Sequence, residues 1–160
     1  MSVYATTRGF AFALFESPLS PVDWGVKEIP GPKKNARCLE SVTKLIEAYR
    51  PDVVVIENCT APDSRRSSRI RSLYRSIEAL ATRHAIETCS YSRDEVREAF
   101  GKFGAVTKEQ IAEVIVKHLP EFEHRQPPVR RPWMSEDSRM GLFDATAFIF
   151  TFFNLGAGAQ

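Results

Sequence analysis

Two carboxylates occupy unusually apolar surroundings in this sequence. Asp144 is the only charged residue between Gly141 and Asn154, and Glu57 follows the β-branched run 53–56. A carboxylate in such a place must be hydrogen-bonded, bound to a metal ion or located at the rim of its element, because burial without a partner is costly. The alternatives are a solvated strand-end glutamate and a helix charge favoured by the macrodipole. Because charges in apolar surroundings tend to mark functional sites, Glu57 and Asp144 are candidate site residues.

A cluster of arginines follows Glu57 along the chain. The segment 64–75 contains five arginines and no acidic residue, although the whole chain has a net charge of only +2. Arginine suits bidentate contacts with phosphate, so Arg65, Arg66 and Arg69 are candidate nucleic-acid ligands. The alternative is an ordinary charged helix face. In either case we expect these arginines to be solvated, because they cannot all share the apolar stripe of one helix.

A second basic group lies in a proline-rich loop before the last helix. Arg125, Arg130 and Arg131 precede Trp133 there. Basic residues combined with an aromatic ring can bind a nucleic-acid backbone and stack on a base. The alternative is a proline-stiffened loop anchored by a buried tryptophan. The sequence leaves these two interpretations open.

Length and composition are those of one ordinary globular domain. The chain has 160 residues, of which 43% are hydrophobic and 26% charged, so we expect a single domain over residues 1–160. Cys38, Cys59 and Cys89 are scattered, which argues against a zinc site or a disulfide framework and fits a reducing cytoplasm. The apolar stretch 142–153 is too short to span a bilayer, so we expect no membrane segment.

Periodicity predicts an α/β protein. Three strands come first, a continuous β-branched strand follows the first helix, and helices then alternate with a last short strand. The predicted strands cover residues 2–7, 10–16, 22–29, 52–56 and 85–90. Two predicted helices cover 39–49 and 65–84. Two more begin at the capping boxes of Ser92 and Thr107, and the second of these continues to residue 119. A final apolar helix is predicted to stop before Gly156. Residues 120–134 are predicted to form a loop.

This combination resembles the RuvC family of Holliday junction resolvases, which belongs to the ribonuclease H-like superfamily. The matching segments are the opening hairpin with Gly9-Phe10, the strand 51–57, and the segments 91–96, 104–110 and 143–148, which recur in family order. The resemblance implies a ribonuclease H-like mixed five-stranded sheet flanked by helices. It also implies a homodimer that acts on branched DNA.

The resemblance further implies a two-metal nuclease site. Clustered carboxylates would bind Mg²⁺ or Mn²⁺, and Glu57 and Asp144 fall at two of the family's acidic positions. Tyr4 stands where the family has an aspartate on its first strand. Glu136 or Asp137 could complete the catalytic set only if residues 135–140 fold back over the site. Lys108 matches a lysine that begins a helix in the family and faces phosphate.

Three functions are compatible with these residues. The first is a metal-dependent endonuclease acting on branched or structured DNA, with Glu57 and Asp144 as metal ligands. The second is a catalytically inactive module that retains the basic surface and binds nucleic acid, with Arg65, Arg66, Arg69, Lys108, Arg130 and Arg131 as ligands. The third is a scaffold that uses the fold without nucleic acid, since a fold alone does not determine a function.

Overall fold

The computed structural model describes residues 1–60, 62 and 64–157, with side chains through residue 154, and contains one sheet with helices on both faces. The strands are β1 (Ser2–Ala5), β2 (Gly9–Ser17), β3 (Ser20–Glu28), β4 (Val53–Glu57) and β5 (Glu87–Tyr91). The helices are α1 (Lys34–Tyr49), α2 (Ser68–Arg83), α3 (Arg93–Gly101), α4 (Lys108–His118) and α5 (Met140–Ala157).

The sheet is mixed and has five strands in the order β3-β2-β1-β4-β5. Strands β1, β2 and β3 form an antiparallel meander, whereas β4 runs parallel to β1 and β5 runs parallel to β4. The predicted mixed five-stranded α/β architecture is therefore confirmed. Ser2 of β1 pairs with Val55 of β4, so Tyr4 lies level with Glu57 on the neighbouring strand. Adjacent strands are about 4.8 Å apart, which brings these two positions together at one edge of the sheet.

Alternation along the strands divides the core into two halves. Val3, Val54 and Ile56 point toward the face covered by α1 and α2, and Tyr4 and Val55 toward the face covered by α3, α4 and α5. This explains why β4 reads as a continuous apolar run, since both of its faces are buried. The site described below lies on the second face, where the strands β1 and β4 end.

The helix boundaries correct three predictions. Helix α2 begins at Ser68 with Ser67 as its N-cap, so Arg65 and Arg66 precede the helix instead of opening it. A 3-10 helix, Pro120–Arg125, forms within the segment predicted as a loop and buries Phe122. Helix α5 continues past Gly156 to Ala157, because one glycine costs only about 1 kcal/mol relative to alanine within a helix and does not by itself end it. The two predicted capping boxes, at Ser92 and Thr107, are confirmed.

Helix α5 packs unusually close to the sheet at its first turn. A side chain at Gly141 would place its Cβ only 3.2 Å from the Cβ of Ala11 and 3.3 Å from Cγ2 of Thr6. The glycine therefore allows the helix to approach β1 and β2, and this approach buries Asp144 against the end of the sheet. Although α5 is very apolar, no helix in the described part of the chain is long and apolar enough to cross a membrane.

Candidate functional site

Tyr4 lies at the centre of the candidate site. It replaces the acidic residue that the resemblance predicts on the first strand, and only 4% of its surface is exposed. Its ring packs on Phe148 of α5, with 5.9 Å between the ring centroids. Glu57 lines one cavity together with Tyr4, and Asp144 lines another together with Tyr4, so the two candidate carboxylates lie around this one side chain.

Glu57 is held by Arg66. Nε of Arg66 lies 2.9 Å from Oε2 of Glu57, and the Glu57 side chain is only 7% exposed. This Nε makes no aligned hydrogen bond to any described residue, so the contact is an ion pair without good hydrogen-bond geometry. The Arg66 side chain also donates to the backbone carbonyl of Ala5, and Cys59 donates its thiol to Glu57 at 3.6 Å. Arg66 is thus built into the protein at the end of β4.

Asp144 is held by two cations from two different helices. Nη1 of Arg93 lies 3.2 Å from Oδ1 of Asp144, and Nζ of Lys108 lies 3.2 Å from Oδ2. Lys108 also contacts Oε1 of Glu136 at 2.8 Å, while Arg93 donates to the Tyr4 hydroxyl at 2.7 Å. Each oxygen of the Asp144 carboxylate therefore faces a positive charge.

Three cations surround the Tyr4 ring. The guanidinium carbons of Arg66 and Arg93 lie 5.1 Å and 5.7 Å from the ring centroid, and the Lys108 ammonium lies at 5.7 Å. Burial raises the pKa of Tyr4 far above its usual range, Asp144 raises it further, and the two arginines lower it only in part. Tyr4 is therefore a neutral phenol that accepts a hydrogen bond from Arg93.

Arg93 was not identified from the sequence as a site residue, although the sequence contains a signal for it. Arg93 and Lys108 are the first residues of α3 and α4, directly after the N-caps Ser92 and Thr107. A cation at a helix N-terminus opposes the macrodipole, so such a residue needs an anionic partner elsewhere. Asp144 is that partner for both helices. For Arg93, burial is the largest single effect and lowers the pKa, but the combined effects of Asp144, Tyr4 and Glu57 outweigh it and the pKa is raised overall.

An open cavity of about 580 Å³ lies against Tyr4 and the three cations that surround its ring. Its basic residues are Arg65, Arg66, Arg93, Arg97 and Lys108, and Glu57 is the only carboxylate in its lining among the described residues. Arg65 and Arg97 are exposed, and Arg97 also pairs with the exposed Asp94 at 3.2 Å. Counting Asp94, Glu136 and Asp144 as partners still leaves the cavity positive. The cavity can therefore attract an anion.

A smaller cavity of about 280 Å³ lies on the other side of Tyr4. Glu136, Asp137 and Asp144 line it, so residues 135–138 do fold back toward the site. Asp137 does not join Asp144, because Arg139 takes both of its oxygens at 3.0 Å and 2.7 Å. The hydrogen bonds from Arg139 lower the pKa of Asp137 to about 2. Glu136 reaches Asp144 only through their shared partner Lys108.

The other basic residues have separate locations. Arg69 donates to the Thr6 carbonyl and to the Asn35 side chain, both at 3.0 Å. The expectation that the arginines are solvated is therefore wrong for Arg66 and Arg69, because carbonyls at the end of β1 and side-chain oxygens on β4 and α1 take up their donors. Arg130 and Arg131 are exposed in the loop before α5 and do not line the cavity.

The residues at this site do not fit a pair of divalent metal ions. Magnesium requires oxygen ligands, and the two carboxylates here are each bound to arginine or lysine. The third position holds Tyr4, which stays protonated. Over residues 1–60, 62 and 64–157, no group of three or more acidic, histidine or cysteine side chains is arranged to hold a metal ion. Glu57 and Asp144 lie where metal ligands were predicted, but their surroundings are cationic.

The sequence of this chain matches no protein family model and no curated protein. Its structure does match solved ones. RuvC from Thermus thermophilus superimposes with a TM-score of 0.67 at 16% sequence identity, over 98% of this chain and 94% of that chain.

This is a RuvC-like fold. A second structure, T. thermophilus RuvC in complex with Holliday junction substrate, gives a TM-score of 0.65 at the same identity and coverage. The RuvC-like, ribonuclease H-like sheet expected from the motif order is thereby confirmed.

Proposed function

We propose that this protein binds the phosphate backbone of branched DNA in the 580 Å³ cavity and does so without metal-dependent hydrolysis. The observation that carries the proposal is the set of five basic side chains in the cavity wall, three of which surround Tyr4. Arginine clusters bind phosphate through charge-assisted hydrogen bonds. The Thermus protein of the same fold was solved with a Holliday junction, which supports branched DNA as the ligand class.

The same geometry argues against the competing hypothesis of a metal-dependent endonuclease. Two-metal hydrolysis requires carboxylates that are available to coordinate ions and to place a water for attack. Here Glu57 is paired with Arg66, and Asp144 is paired with Arg93 and Lys108. Two Mg²⁺ ions would have to displace three cations and still lack the ligand that Tyr4 replaces. These cations instead suit a phosphate group that already carries the negative charge.

Two further expectations accompany this proposal. A homodimer would place two cavities around one junction, since a two-fold assembly matches a ligand with two-fold symmetry. A cytoplasmic location would give such a protein access to cellular DNA.

Binding to a labelled four-way junction and to a linear duplex, measured by fluorescence anisotropy over a series of salt concentrations, tests the proposal. Two to five phosphate contacts predict a slope of log K against log salt between about −2 and −4.5. Arg65→Ala removes an exposed cavity residue and should reduce the magnitude of that slope by about 1. Affinity should be the same with Mg²⁺ and with chelator when ionic strength is matched.

Arg83→Ala is the matched control. Arg83 is an exposed arginine at the opposite end of α2, about 22 Å along the helix axis from Ser68, so its loss changes net charge equally without touching the cavity. If Arg83→Ala weakens binding as much as Arg65→Ala does, attraction is diffuse and the cavity is not the site. Junction cleavage in Mg²⁺ or Mn²⁺ that disappears in Glu57→Gln and Asp144→Asn would refute the proposal in favour of the nuclease.

A further inference from the structure

The loop before α5 exposes one large aromatic side chain to solvent. Trp133 has 76% of its surface exposed, whereas the only other tryptophan, Trp24, is partly buried and packs on Phe122 with 4.8 Å between ring centroids. This finding rules out a buried tryptophan anchor for the loop. Tryptophan is enriched in binding interfaces relative to the rest of the protein surface. Trp133 is therefore a candidate contact residue, and the groups around it decide for which kind of ligand.

A hydrogen-bonded turn holds this indole at the tip of the loop. The backbone N–H of Met134 donates to the carbonyl of Arg131 at 2.9 Å, which closes a four-residue turn. Pro132 occupies the second position of the turn, where proline sets the required φ in advance. The turn reduces the number of conformations available to Trp133, so less entropy is lost when a ligand binds to it.

The surroundings of Trp133 are cationic. The guanidinium carbon of Arg131 lies 5.5 Å from the centroid of the indole ring system, and Arg130 is exposed beside it. Residues 125–134 contain three arginines and no acidic residue. An aromatic ring beside arginines is the combination with which proteins bind single-stranded nucleic acid, because bases stack on the ring and the cations follow the backbone.

The loop also lies close to the phosphate-binding cavity. Glu136 contacts Lys108, which lines that cavity, at 2.8 Å. Trp133 is three residues before Glu136, so their Cα atoms are at most about 11 Å apart even if the chain is fully extended. The path from the cavity to the indole therefore runs over Lys108 and Glu136, a length that several nucleotides span, since successive phosphates of one duplex strand rise about 3.4 Å.

We infer that Trp133 and Arg131 form a stacking site for an unpaired base, next to the backbone held in the cavity. The inference rests on the proposed function and narrows it. The ligand class becomes nucleic acid in which a single-stranded or extruded base adjoins a bound backbone segment, as at a junction centre, a bulge or a flap. The charge of the loop and its position beside the cavity favour this occupant over a protein partner.

Three oligonucleotide ligands test the inference: a single strand, a duplex with one unpaired base, and a fully paired duplex. Trp133→Ala should weaken binding to the first two by about 5- to 150-fold, because stacking on one aromatic ring contributes about 1–3 kcal/mol per base. Binding to the paired duplex should change less than twofold. Trp133→Phe should restore most of the affinity, whereas Trp133→Leu, which is apolar without a π-face, should not.

Intrinsic fluorescence provides a second readout. In a Trp24→Phe background Trp133 is the only tryptophan, and its emission should be quenched by the single strand and by the unpaired base, but not by the paired duplex. Equal thermal stability of Trp133→Ala and wild type should confirm that the variant is folded, as expected for an exposed loop residue.

The outcomes separate the two proposals. If Trp133→Ala binds all three ligands like wild type while Arg65→Ala still reduces the salt slope, the stacking site is refuted and backbone binding stands. If the wild-type protein binds none of the ligands at low salt, both proposals are refuted. If Trp133→Ala changes only the oligomeric state in analytical ultracentrifugation, the indole belongs to a protein interface and the stacking inference is wrong.

Discussion

Replacing Arg66 by methionine would leave Glu57 as a buried carboxylate without its cation. The Arg66 and Glu57 side chains are 23% and 7% exposed, and their charged atoms are 2.9 Å apart. Removing one partner of a buried ion pair costs about 3–5 kcal/mol, because the remaining charge stays desolvated. Since Arg66 is partly exposed and water can reach the vacated space, we expect about 3 kcal/mol of lost unfolding free energy. For a domain of this size that corresponds to a fall of about 6–12 °C in Tm.

A double-mutant cycle in urea separates the ion pair from the other contacts of Arg66. The single variants are Arg66→Met and Glu57→Gln, and the double variant removes both charges. Because the double variant contains no isolated charge, it should be more stable than Arg66→Met, with a coupling free energy of about 1–3 kcal/mol. Arg83→Met, at the exposed last position of α2, should change stability by less than about 0.5 kcal/mol.

A coupling near zero would refute this reasoning. It would mean that water solvates Glu57 in the folded protein and that Arg66 is free to leave the carboxylate. In that case Glu57 would also be available to a metal ion, and the argument against hydrolysis would lose one of its two carboxylates.

Two titrations follow from the pKa shifts at the site. Burial raises the pKa of Tyr4, although an ordinary tyrosine ionises near 10. Wild type and Tyr4→Phe should therefore show the same phenolate absorbance up to about pH 11. Ionisation of Tyr4 at a lower pH would contradict the neutral phenol. The pKa of Asp137 is about 2 because Arg139 donates to it, so its stabilising contribution should be complete above the unfolded value of about 3.9 and be lost as pH falls through 2. Asp137→Asn should therefore lower the unfolding free energy at neutral pH, by at most about 1 kcal/mol because the ion pair with Arg139 is partly exposed. The difference between variant and wild type should disappear below about pH 2. An equal difference at every pH would show that the Asp137 carboxylate is not stabilised by Arg139.

The network around Tyr4 gives this RuvC-like fold a different electrostatic character from a metal site. A nuclease centre collects negative charge and relies on metal ions to neutralise it. Here Arg66, Arg93 and Lys108 supply the neutralising charge, and they belong to three separate segments of the chain. Gly141 belongs to the same arrangement, because any side chain there, acidic or not, would meet Ala11 and Thr6 at about 3.2–3.3 Å.

The sequence by itself determined the order of strands and α-helices, the sheet class and the identity of the two buried carboxylates. The β-branched run before Glu57 and the two capping boxes are local signals, and the structure confirms each of them. Local patterns suffice there because hydrogen bonding along an element and the side on which it is buried depend on residues close in sequence. The motif order was likewise enough to identify the RuvC-like fold.

Only the tertiary structure decided which cation meets which carboxylate. Arg93 is 51 residues from Asp144, and Lys108 is 36 residues from it, so no local pattern could pair them. The sequence likewise could not separate Arg65, which faces the cavity, from Arg69, which binds the end of β1, because both stand in the same basic run. Charge pairing depends on distances of a few ångströms between side chains, and those distances exist only once β1, β4 and the N-terminal ends of α3, α4 and α5 meet at one edge of the sheet.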